Sequence, residues 1–104
     1  MGANQAMHYL LIYDYIEDYV PKRAAVRAEH LNLIQKAYDR GEIAIAGAFG
    51  EPYRGGVLVF RGESPQAAEA FAKADPYVRT GVVSKWEVRP WLTVIGDGAK
   101  MPKL

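Results

Sequence analysis

The chain has two histidines in 104 residues, and one of them, His30, sits in the run Arg27-Ala-Glu-His30-Leu31. It lies four residues from Val26 and Ile34 and three from Leu33, so in a helix it shares or borders the inward apolar stripe rather than the solvent side. Arg27 and Arg23 continue the same side toward the helix start, and a cationic margin beside a base suits an anionic ligand. The second residue of interest is Asp75, in Asp75-Pro76-Tyr77-Val78. A carboxylate bonded to one imidazole nitrogen fixes the tautomer and strengthens the other nitrogen as a base, which makes a His30–Asp75 pair a general acid/base. Tyr77, two residues on, could offer its hydroxyl to the same ligand. Each residue also has a plainer reading. A lone histidine on an apolar stripe is what a hydrogen-bonded core histidine looks like, and Asp before Pro is the pattern of a helix N-cap and first turn.

Other chemistries lack residues to carry them. There is no cysteine, and Ser64 and Ser84 stand in no nucleophile-elbow setting, so proton transfer is favoured over covalent catalysis. Two histidines and no thiolate cannot make a typical zinc cage, and no glycine-rich phosphate loop is present, so neither a metal nor another cofactor is expected. His8 opens a strand beside the N-terminus and reads as solvated. Arg54-Gly55-Gly56 reads as a turn. The net charge of +1, with acids and bases interspersed, provides no field of one sign for nucleic acid or anionic lipid. No apolar run approaches a membrane span and the start of the chain lacks a signal-peptide pattern, so the expected location is the cytoplasm.

The elements that position these residues follow from periodicity. His8 to Tyr15 is apolar on both alternating faces and predicts a central strand covered on both sides. A continuous helix is predicted from about Tyr19 to Arg40, with Asp18 as cap, Gly41 as stop, and Val26, Leu33, Ile34, Ala37 and Tyr38 facing inward. Glu42 to Phe49 and Val57 to Arg61 suit two strands of a hairpin, joined through residues 50–56. Ser64-Pro65 starts a second helix that runs to Lys73, with Ala67, Ala68, Phe71 and Ala72 inward. After a tight turn or single helical turn at Asp75 to Val78, residues 82–95 predict a long strand, with Trp86, Val88, Leu92 and Val94 on one face. Pro90 in that strand is a candidate bulge.

Strand, helix, strand, strand, helix, strand is the order of a ferredoxin-like α+β fold, a four-stranded antiparallel sheet with two helices on one face. In that topology the first helix begins and the second ends at the same edge, which brings His30 and Asp75 within reach. The third strand lacks the aromatic and glycine pattern with which a sheet of this kind stacks RNA bases. Because the first and third strands are apolar on both faces, the helix-free face calls for a second subunit, and a homodimer is expected. One domain, residues 7–95, is expected, with extensions at 1–6 and 96–104.

The His30-Leu31 pair, Ala46-Gly47, Asp75-Pro76-Tyr77-Val78 with Gly81-Val82, and Trp86-Glu-Val-Arg-Pro90-Trp91 together resemble the YciI-like (YCII-related) family over residues 7–95. The resemblance implies a ferredoxin-like fold paired into a dimeric α/β barrel, a site built on His30 and Asp75, and a pocket wall at Gly47. It also implies lyase or dehalogenase-type chemistry on small aromatic compounds for some members. Members often carry proline where this chain has Ala48. The function expected is therefore a small-molecule enzyme of lyase, dehalogenase or isomerase type, using His30 and Asp75 on a ligand held by Arg27, Tyr77 and the wall at Gly47. The alternative is a non-catalytic dimeric module that binds a small molecule or a protein.

Overall fold

The structure, a computed structural model, describes residues 8–99. The extension expected at residues 1–6 and the last five residues of the expected tail lie outside the described residues. Strand β1 (His8–Tyr15) is followed by helices α1 (Tyr19–Arg23) and α2 (Arg27–Asp39). Strands β2 (Ile43–Phe49) and β3 (Gly55–Arg61) follow, then helices α3 (Gln66–Ala74) and α4 (Pro76–Arg79), then strand β4 (Val83–Trp91). The four strands form one antiparallel sheet in the order β2-β3-β1-β4. This is the ferredoxin-like α+β arrangement expected from the order of elements.

Register decides which side chains meet the helices. Pairing Leu11 with Leu58 and Val88, and Tyr13 with Trp86, puts the odd-numbered side chains of β1 on one face. Leu11, Tyr13, Leu58 and Phe60 pack there against Ala37 of α2 and Ala68, Phe71 and Ala72 of α3. The alanines let the helices approach the sheet closely. Leu10, Ile12, Val57 and Val59 fall on the opposite face, which no helix covers, and Ile45 stands exposed beside them. Pro90 causes no break in pairing, because β4 is an edge strand and the missing N–H is not needed by a neighbour.

Several expectations are corrected. The first helix is interrupted at residues 24–26, where Val26 adopts φ −121° and ψ 2°, so α1 and α2 are separate. Asp18 precedes α1 but makes no side-chain capping bond. Tyr38 is 55 % exposed rather than inward, since it lies at the edge of the stripe that Ala37 centres. The N-cap position of α3 is Pro65, one residue after the expected Ser64, whose hydroxyl accepts from the Gln66 N–H at 3.4 Å. The last strand stops at Trp91, and Leu92 and Val94 are exposed. His8 is buried rather than solvated, because the segment after β4 returns over it. Its Nδ1 lies 2.8 Å from the Thr93 hydroxyl.

Candidate active site

Asp75 is the fixed point of the site. It ends α3 in an extended conformation and caps α4, its Oδ1 accepting from the Tyr77 N–H at 3.0 Å with Pro76 in the first turn. The capping reading is therefore correct, and the same carboxylate has a second use. Its Oδ1 lies 2.8 Å and its Oδ2 3.0 Å from His30 Nδ1, while Oδ2 accepts from the Tyr13 hydroxyl at 2.7 Å. Asp75 and Tyr13 are 0 % exposed and His30 is 5 % exposed. A buried carboxylate is tolerable when donors surround it, and here three groups from three elements do so. With Nδ1–H donating to the carboxylate, the free lone pair of the ring belongs to Nε2.

The ring itself is held in a stack. His30 and Tyr77 lie parallel, with centroids 3.5 Å apart and an interplanar angle of 6°. Tyr15 meets Tyr77 edge-on at 6.3 Å and packs against Tyr19 at 5.0 Å. Arg23 lies over the Tyr19 ring, 5.2 Å from its centroid, a favourable placement for a guanidinium. The break between α1 and α2 carries Tyr19 and Arg23 over this side of the molecule on a segment distinct from that of His30.

These groups border a cavity of about 400 Å³ between α1–α2 and the β2–β3 edge. His30, Arg27, Tyr77 and Gly47, four of the five residues singled out from the sequence, line it, as do Tyr13, Tyr15 and Arg23. Asp75, the fifth, stands behind His30 and does not line it. No aspartate or glutamate among the described residues lines the cavity. Among the described residues neither Arg23 nor Arg27 forms an ion pair, so their charge is available to a guest. Among the described residues no three His, Asp or Glu side chains converge as a metal site would require.

The phenols differ in their commitments. Burial, the Asp75 charge and the bond to it hold the Tyr13 hydroxyl far above its ordinary pKa, so it stays a donor. Burial and the neighbouring Tyr77 phenol push Tyr15 up to about 12, against an opposing pull from Arg23. The Tyr77 hydroxyl is buried with no partner among the described residues. Tyr13 was missed by motif reading, which leaves it as a core aromatic. The strand alternation places its ring on the helix side of the sheet but carries no sign of what its hydroxyl meets.

The sequence model of the YCII-related domain family matches residues 7–92. Protein YciI of Escherichia coli O6:H1 and Protein YciI of Shigella flexneri are each 33 % identical over 97 residues, spanning 85 % of this chain and 99 % of theirs. An uncharacterized protein of Haemophilus influenzae is 29 % identical with the same coverage. Among solved structures, the fold is similar to that of the 5-chloro-2-hydroxyhydroquinone dehydrochlorinase TftG from Burkholderia phenoliruptrix AC1100, in complex with 2,5-dihydroxybenzoquinone. The TM-score is 0.69 at 19 % identity, covering 89 % of this chain and 99 % of that one.

Proposed function

The chain belongs to the YCII-related domain family, and from that premise we propose that it is a cytoplasmic small-molecule enzyme of lyase, dehalogenase or isomerase type. His30 is its general acid/base, Asp75 orients the ring, and Arg27, Tyr77 and the backbone at Gly47 contact the ligand. The observation that carries the reading is the anchoring of His30 Nδ1 on a fully buried carboxylate beside a cavity. In the reaction Nε2 takes a proton from the ligand, Asp75 balances the imidazolium, and the proton is returned at another atom or to a leaving group. The ligand bound by the structurally similar dehydrochlorinase, a small oxygenated ring, is of a size that a cavity of about 400 Å³ accommodates.

Titration with 2,5-dihydroxybenzoquinone, followed through the ring nitrogen resonances of His30 by NMR, tests the reading. The expected result is a shift at Nε2 on binding and a proton held on Nδ1 throughout. A ring that stays silent while the compound binds would instead mark a non-catalytic binding module.

The protein is further proposed to work as a homodimer. The reading is supported by half-buried Leu10, Ile12 and Val57 on the helix-free face, with Ile45, Leu92, Val94 and Ile95 exposed. An apolar surface of this kind is costly to leave in water. Light scattering at micromolar concentration is expected to return twice the chain mass of 11.6 kDa; a clean monomer would remove the inference.

A further inference from the structure

Among the described residues, four tyrosines on the cavity wall, Tyr15, Tyr19, Tyr53 and Tyr77, have hydroxyls that do not bond Asp75, and Tyr15 and Tyr77 lie next to the imidazole stack. The Tyr77 hydroxyl is buried without a partner among the described residues, a rare and unfavourable state for a polar group that a ligand oxygen would relieve. Tyr15, edge-on to Tyr77 at 6.3 Å, is kept protonated well into the alkaline range. Room for it depends on Gly56, where a Cβ would come within 2.7 Å of the Tyr15 hydroxyl and 3.3 Å of the Gly47 carbonyl oxygen. Among the described residues the charged side chains of the wall besides His30 are Arg23 and Arg27, donors too, and no carboxylate lines it. The cavity therefore offers several donors for oxygen and a single basic lone pair, that of His30.

We propose that Tyr15 and Tyr77 hold the ligand oxygen on which negative charge gathers when His30 removes a proton, so the cavity serves small enolisable carbonyl compounds and their phenolic tautomers. The inference rests on the acid/base reading of His30. In the step, His30 Nε2 takes the proton from a carbon beside a carbonyl. The C–H electron pair becomes the C=C bond of the enolate, and the carbonyl π pair moves onto oxygen, where the two phenols donate to it. The imidazolium returns the proton to the oxygen, giving the enol or phenol tautomer, or to the γ-carbon of a conjugated dienolate, which isomerises the compound, or the enolate expels a leaving group at the β position with its electron pair. Neither course consumes an oxidant or a reductant. Donors aimed at developing charge in a water-poor site are the usual source of a large rate effect.

The test compares 4-nitrophenolate, a stable stand-in for the enolate, with 4-nitroanisole, which cannot carry the charge. Binding is followed by absorbance and calorimetry on the full chain. The phenolate is expected to bind at least about tenfold more tightly than the ether, and the Y15F/Y77F variant to lose about ten- to a hundredfold of that affinity, as charge-assisted hydrogen bonds do. Tyr77→Phe removes no hydrogen bond seen among the described residues, and thermal unfolding of each variant checks that the fold persists. Undiminished phenolate binding by the double variant, equal affinity for the ether, or no binding of the phenolate at millimolar concentration would each overturn the proposal. If phenolate binding depends on the tyrosines while deuterium exchange into enolisable ketones is indifferent to His30, the acid/base reading alone fails.

Discussion

Replacing His30 by alanine is expected to cut turnover by about 10²- to 10⁴-fold, the range a positioned general base contributes. The fold should survive the change. Asp75 keeps the Tyr13 hydroxyl and the Tyr77 N–H as donors when the imidazole is gone, so its charge does not become an isolated buried one. The site also opens onto the cavity, which lets water fill part of the space vacated. The measurement is deuterium wash-in at the acidic carbon of enolisable ketones, with denaturant unfolding of the same preparation as control. Free imidazole is expected to restore part of the lost rate, because the deleted ring leaves a space of its own shape beside the cavity. Rescue separates a missing base from a damaged scaffold. Full activity without the ring would show that His30 is a core histidine stacked on Tyr77 and nothing more.

Much of this site is legible in the chain because it rests on short-range rules. The strand order follows from the alternation of apolar residues, and the cap at Asp75 follows from the proline after it, since each depends on neighbours in sequence. The meeting of His30 with Asp75 is long-range, yet it too follows once the topology is fixed, because the fold brings the start of α2 and the end of α3 to one edge. What could not be read depends on partners far along the chain with no pattern of their own. No glycine or proline marks the helix break at residues 24–26, and a continuous helix is what Ala24-Ala25-Val26 predicts. His8 stands where a solvated terminus is expected, and only the return of Thr93 and Gly98 buries it.

Tyr13 shows the same limit from the other side. Its ring reads as core, and the ring is core, at 0 % exposure. Nothing in the sequence around it says that its hydroxyl finds the carboxylate 62 residues away. Propensity and periodicity act on the apolar body of a side chain, whereas a polar tip is placed by whatever the tertiary structure sets opposite it. The same holds for the Tyr77 hydroxyl, whose lack of a partner becomes visible only when every neighbour is in place.

Asp75 separates stability from chemistry. Asp75→Ala is expected to cost about 3–5 kcal/mol of folding stability, because it removes the shared acceptor of a buried network and leaves donors unmatched. Those donors are His30 Nδ1–H, the Tyr13 hydroxyl and the Tyr77 N–H, and the last also loses the α4 cap. Against the roughly 5–15 kcal/mol available to a typical domain, that loss brings a chain of this size close to unfolding at ambient temperature. Urea unfolding reads it directly, and a change below about 1 kcal/mol would mean that water takes over the acceptor role. Asp75→Asn should behave differently. Its amide oxygen can accept from the Tyr77 N–H and His30 Nδ1 in place of Oδ1, and its NH₂ can donate to the Tyr13 hydroxyl, which turns to accept. Most of the stability therefore remains, while the negative charge that balances an imidazolium is gone, and turnover is expected to fall about a hundredfold. If the asparagine variant instead kept full activity, Asp75 would be a helix cap that happens to hold a histidine, and the proposed acid/base pairing would be wrong even with every hydrogen bond in place.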